Sequence, residues 1–233
     1  MAERNVPPFR AALVFTDPTP HAIVNHRIAK HGIEIAQRHT DLSHAEQSHF
    51  YDVVILTARK MASVWKHLDA YRREEDRLLG EFSKGGEHID YGQELFSEFD
   101  EFAVQIKSTL DHVVKAMRPM VGKCWTIGTF GDKGDKVIDC LDRNVPRKFS
   151  PKIDFMKAVC FTVERKQWLD AIIGARDRIN HLQDGGIAIK NFSVFRANDG
   201  TVQVPQWSNE QKLRDAMGGL WNEFFFLVED FIV

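Results

Sequence analysis

Four polar side chains gather on adjacent turns of one helical run, Ile172-Ile173-Gly174-Ala175-Arg176-Asp177-Arg178-Ile179-Asn180-His181-Leu182. At about 100° per residue, Leu169, Ile172, Ile173, Arg176, Ile179 and Asn180 share one face, while Asp177 and His181 flank it, stacked one turn apart. A guanidinium, a carboxylate, an amide and an imidazole that titrates near neutrality are the residue types of anion binding and proton transfer. Placing the arginine on an apolar stripe is costly, because burying an unpaired charge costs far more than exposing one. Arg176 must therefore be paired, face a wet cleft, or serve a partner surface.

The elements that position this group follow from hydrophobic periodicity. Ser43-His44-Ala45-Glu46 is a capping box, and Phe50, Val54, Thr57, Met61, Val64, Leu68 and Tyr71 repeat at three- and four-residue steps. This predicts a long amphipathic helix to about Leu79, with an exit at Gly80 and Gly85-Gly86. A second, from about Tyr91 to Met117, carries Phe99, Phe102, Ile106, Leu110, Val113 and Met117 and stops at Pro119 and Gly122. The two are expected to pack antiparallel. A short helix near Lys133 to Arg143 follows, and Ser150-Pro151 then opens a third long helix that ends at Gly185-Gly186, after His181. Beyond that stop the period falls to two. Ile187 to Phe195 and Thr201 to Val204 alternate around Asn198-Asp199-Gly200, which predicts a β-hairpin ended by Pro205. From Ser208 a closing helix carries Leu213, Met217, Leu220, Trp221, Phe224, Phe225 and Val228. The fold class is all-α, an antiparallel bundle of four to five helices with a hairpin (187–205) inserted before the last. Residues 1–40, with Pro7, Pro8, Pro18 and Pro20 around the apolar run Ala11 to Phe15, form an N-terminal arm or extended segment on a bundle of residues 41–233.

Composition narrows the class. The chain has 233 residues, 43% hydrophobic and 27% charged, enough for a full core. A formal net charge of −2 offers no global attraction to nucleic acid or acidic membranes, so any such partner needs a local patch. Cys124, Cys140 and Cys160 are widely spaced and form no CxxC pair, which fits a reducing cytoplasm and argues against a disulfide framework or a cysteine zinc site. No stretch approaches the ~18 apolar residues of a membrane span, and the N-terminus lacks the order of a signal peptide.

The motif Arg176-Asp177, a short spacer and His181 near a helix end resembles the signature of the HEPN superfamily: an arginine, a polar residue, a spacer and a histidine. The bundle resembles HEPN architecture too, and Glu98-Phe99-Asp100-Glu101-Phe102 through Lys107-Ser108-Thr109-Leu110-Asp111-His112 is similar to the first long helix of some bacterial HEPN-like proteins. At motif level the likeness spans about Tyr91 to Leu182. What it implies is metal-independent endoribonuclease activity, with no cofactor, at a site assembled from two copies of the motif across a homodimer. Such a protein acts as a toxin or defence effector, with RNA as substrate and an antitoxin as partner. Arg176 would then hold non-bridging phosphate oxygens. His181 would move protons near its unperturbed pKa of about 6.5, with Asp177 orienting its ring and Asn180 donating to a phosphate or to the partner chain. HEPN-like domains also serve as non-catalytic dimerisation, interaction or nucleotide-binding modules. Under that alternative Arg176 is held by carboxylates of its own chain, no basic cleft adjoins it, and Asp177 to His181 is an ordinary one-turn pair.

An RNA track is expected just before the motif. Residues 143–166 carry Arg143, Arg147, Lys148, Lys152, Lys157, Arg165 and Lys166 against Asp154 and Glu164, a local excess of five positive charges. Phe149, Phe155 and Phe161 are candidates for base stacking, although phenylalanines at such spacing usually belong to a core. Gly131-Asp132-Lys133-Gly134 has GxxG spacing, yet a glycine turn before a short helix explains it better than a KH loop. Glu46-x-x-His49 lacks the second ExxH of a di-iron bundle, and His21, His26, His31, His39, His44 and His49 scatter at five-residue steps, so no metal site is expected.

Overall fold

The computed structural model describes residues 28–30, 32–34, 42–84, 91–121, 125–131, 134–144, 150–181, 192–207 and 211–232, with the backbone alone at 119–121, 152, 177–181 and 232. Helix dominates them, as the sequence predicts, in helices α1 (His44–Ser83), α2 (Gln93–Val121), α3 (Asp135–Asn144), α4 (Ser150–Cys160), α5 (Val163–His181) and α6 (Leu213–Ile232). One hairpin, β1 (Phe195–Arg196) and β2 (Val202–Gln203), precedes α6. Ile28 and Ala29, in the segment expected to pack on the bundle, are helical and buried. The apolar run Ala11 to Phe15 lies outside the described residues.

The capping box forms as expected. Glu46 N donates to the Ser43 hydroxyl at 3.3 Å, and Ser43 N donates back to Glu46 Oε2 at 2.8 Å. All seven predicted stripe residues of α1 are buried. The helix runs past Leu79 and Gly80 to Ser83, because Leu78 and Phe82 extend the stripe while the Gly80 position opens onto space. Helix α2 buries its predicted stripe as well, and it continues through Pro119 to Val121. A proline in the last turn withholds only one backbone donor, so it stops α2 later than expected. His67 Nδ1 lies 2.7 Å from Glu98 Oε2, and Lys60 Nζ donates to Gln105 Oε1 at 3.3 Å. Numbering rises along one helix as it falls along the other, so α1 and α2 are antiparallel.

The expected third long helix is two helices. The chain breaks at Phe161-Thr162, where the Thr162 hydroxyl accepts a hydrogen bond from Arg165 N at 3.2 Å and caps α5. Phe161 turns inward at the break to meet Phe130 (centroids 6.1 Å) and Phe231 (5.9 Å). Gly134, with φ +75°, leads into α3, and a Cβ there would lie 2.2 Å from the Phe161 ring. Both backbone angle and close approach therefore demand glycine at this position.

In the hairpin, Phe195 pairs with Gln203 and Arg196 with Val202, around the expected Asn198-Asp199-Gly200 turn. Each strand is only two residues long, and 187–191 lie outside the described residues. Arg196 Nη2 donates to Phe82 O at 2.6 Å, which ties the hairpin to the end of α1. Helix α6 begins at Leu213 rather than Ser208, because Lys212 first bridges to Gln206 and Leu213 N donates to Pro205 O at 2.9 Å. Its predicted stripe is buried from Leu213 to Val228, completing a core shared with α1, α2, α4 and α5. Among the described residues no helix is long and apolar enough to cross a membrane.

Candidate functional site

Helix α5 enters the bundle through its apolar face. Leu169, Ile172, Ile173 and Ala175 are buried in the common core, where α5 packs on α2. Arg176 follows on the next turn and is half-buried. It lies within the electrostatic reach of Asp100, a half-buried residue of α2 set between the core side chains Phe99 and Phe102. Burial pushes the Asp100 carboxyl above its usual range, Glu101 adds to the rise, and Arg176 opposes it. The costly arginine of the stripe thus has a carboxylate facing it across a helix seam. Asp100 was not singled out as a site residue by sequence. Its signal was a carboxylate one position around from the buried face of α2, visible only once α5 is known to pack there.

The backbone of α5 continues unbroken to His181 and so carries Asp177, Asn180 and His181 on its last two turns. Five residues of helix place His181 about 7.5 Å beyond Arg176 along the axis. The side chains of Asp177, Asn180 and His181 lie outside the described residues, as do the Gly185-Gly186 stop and the aromatic Phe149.

Folding brings carboxylates to the basic stretch. Arg143 pairs with Asp139 at 3.1 Å, Lys157 with Asp142, and Lys166 with Asp135 at 3.2 Å. Arg165 is the most enclosed of these cations, with 15% of its side chain exposed, and reaches Asp230 at 2.7 Å and Glu223 at 4.0 Å on α6. Five carboxylates, Asp135, Asp139, Asp142, Glu223 and Asp230, come from outside residues 143–166, so a charge count along that stretch misses them. The pairs of Arg143, Lys157 and Lys166 are exposed and weak, whereas Arg165 pins α5 to α6. Arg147 and Lys148, and the side chain of Lys152, lie outside the described residues. Of the stacking candidates, Phe161 is core and Phe155 is exposed.

The remaining motifs resolve into structure. Gly131 and Gly134 both have positive φ, Gly134 leads into α3, Asp132 and Lys133 lie outside the described residues, and Glu46 caps α1. Among the described residues no three metal-ligating side chains cluster. Cys140 and Cys160 are buried thiols, and neither is in a disulfide. Burial first, and the nearby Asp230 second, push the Cys160 thiol up to about 12, with Arg165 opposing, so it stays protonated and unreactive. Comparison with family models, with curated proteins and with solved structures finds no match for the chain.

Proposed function

We propose that this chain is a HEPN-like helical module that works by interaction, as a homodimer, and does not cleave RNA. The observation that carries this reading is that Arg165, the most enclosed described cation of the expected RNA track, is held by Asp230 and Glu223 of its own chain. The electrostatic influence of Arg176 on Asp100 points the same way, since a carboxylate within reach on a neighbouring helix offsets the charge of the stripe arginine without a substrate. Resemblance of Arg176-Asp177 and His181 to the HEPN motif supports assembly from two copies.

A second reading, the metal-independent endoribonuclease acting as a toxin or defence effector, is favoured by one observation. Helix α5 reaches His181 without a break, which keeps Arg176 and His181 on its terminal turns, as the HEPN motif requires. In that reading a ribose 2′-oxygen forms a bond to the adjacent phosphorus and the bond to the 5′-oxygen breaks. His181 moves the protons, Arg176 holds the extra negative charge of the phosphorane, Asp177 orients the imidazole, and Asn180 donates to the phosphate.

Incubation of mixed RNA in EDTA with the purified protein and with an Arg176→Ala/His181→Ala variant separates the two. The interaction reading predicts intact RNA in both samples and a dimer by sedimentation. Cleavage by the wild type that disappears in the variant overturns it in favour of the nuclease.

A further inference from the structure

Helix α6 closes on α1 through an apolar floor with polar groups sealed beneath its first turns. Trp221 packs on Trp65 with centroids 5.6 Å apart, and the Arg72 guanidinium sits 5.9 Å over the Trp65 ring. Gly218 allows that approach, since a Cβ there would come within 2.6 Å of Arg72 Nη2. On α1 the buried stripe continues through Tyr71 and Glu75 to Leu78, so a carboxylate occupies a core position. The Glu75 side chain is 1% exposed, and among the described residues neither of its oxygens has an aligned hydrogen-bond donor. The Tyr71 hydroxyl, one turn back, is likewise buried without a hydrogen-bond partner.

The groups facing Glu75 are few. Tyr71 and Asp76 come from α1, Arg214 from the first turn of α6, and Lys212 from the residue before that helix. Arg214 Nη1 lies 3.1 Å from Glu75 Oε2 but only 2.6 Å from Oδ1 of Asp76, whose side chain is 61% exposed. One cation is thus shared between two carboxylates, and its shorter contact goes to the exposed one. A sealed carboxylate with half a partner is costly to ionise.

We propose that this seam is a proton-operated latch: with a proton on Glu75 the first turns of α6 close onto α1, and loss of that proton loosens them. Burial pushes the Glu75 carboxyl above the usual range, and Arg214 offsets the rise only in part. A raised carboxylate value means that the closed state binds the proton more tightly than the open one. The latch is therefore fully engaged below the ordinary glutamate value of about 4.3 and is lost as pH rises through the closed-state value. Because Leu213 N also holds Pro205 O, loosening reaches the hairpin exit.

Amide hydrogen exchange on the full chain, read as protection factors in the first three turns of α6 between about pH 5 and pH 8, tests the latch. Wild-type protection falls with pH, by up to about tenfold per unit, while Glu75→Gln stays flat and exceeds the wild type at the alkaline end. Arg214→Gln, which removes the shared cation, carries the fall to higher pH. A Glu75→Gln profile with the wild-type slope, or one less protected than the wild type throughout, overturns the proposal. Should Glu75→Gln fail to fold, an Arg214→Gln profile that coincides with the wild type overturns it equally.

Discussion

Among the described residues, guanidinium groups on one helix approach carboxylates on another at the α1–α6, α2–α5 and α5–α6 seams, and the first two differ in how deep the anion lies. Between α1 and α6 the Glu75 side chain is 1% exposed while Arg214 keeps 27% of its own in solvent. Between α2 and α5 both Asp100 and Arg176 are half-buried. A long cationic side chain can keep its head in water while its stem packs, but a short carboxylate sealed in a core has no such escape. The depth of the anion, more than the presence of a pair, sets how strongly a seam responds to pH.

Removing the apolar floor is the harshest way to break this contrast. Trp221→Ala is expected to cost about 3–5 kcal/mol in urea unfolding, because the ring is 1% exposed and packs on Trp65, Phe224 and Phe225. A loss below about 1 kcal/mol would mean that the α1–α6 seam is not packed and that Glu75 is not sealed by it.

Charge removal at the shallower seam comes next. Arg176→Met keeps most of the stem and deletes the cation, so Asp100 loses the one influence that lowers its carboxyl. Its folded-state value then rises further above the unfolded one. The stability from this group is complete below the unfolded value and lost as pH rises through the folded one, so the variant is weakest near neutrality and recovers on acidification. A deficit of about 1–2 kcal/mol at neutral pH is expected. An Asp100 resonance that titrates identically in wild type and variant would show that Arg176 is not its partner.

What the sequence made legible tracks the range over which each signal acts. The stripes of α1, α2 and α6 could be read because apolar periodicity is local and repeated. The Ser43 cap was equally plain, since both members of its box lie within four residues. Thr162 was missed because its flanks are compatible with continued helix, and only the inward turn of Phe161 toward Phe130 and Phe231 makes a break favourable. Glu75 was overlooked although its position was readable: Leu68, Tyr71, Glu75, Leu78 and Phe82 keep the stripe spacing beyond the point where the expected stripe ended. The partners of Arg165 and Arg176 were not readable at all, because Asp230 and Asp100 reach them only through helix packing.

The Thr162 cap offers a gentler test of how α5 is held. Thr162→Ala removes the acceptor for Arg165 N and should cost about 1 kcal/mol by chemical denaturation. It should leave Asp100 titration unchanged, because the Arg165 bond to Asp230 still anchors the start of the helix. A displaced Asp100 midpoint would instead mean that the cap sets the distance between α5 and α2.

The smallest effect belongs to the exposed pairs, and it bears directly on the contrast between depths. Arg143 and Asp139 lie one turn apart on α3 with 75% and 62% of their side chains in solvent. Both ions keep most of their hydration there, so forming the pair recovers little and breaking it leaves no sealed charge behind. Asp139→Asn is expected to change unfolding free energy by less than about 0.5 kcal/mol, with a difference that shrinks further in salt. If this substitution instead cost as much as Arg176→Met, depth would not be the variable that separates the seams. The exposed cations would then be structural ties, held too firmly to exchange a carboxylate for a phosphate.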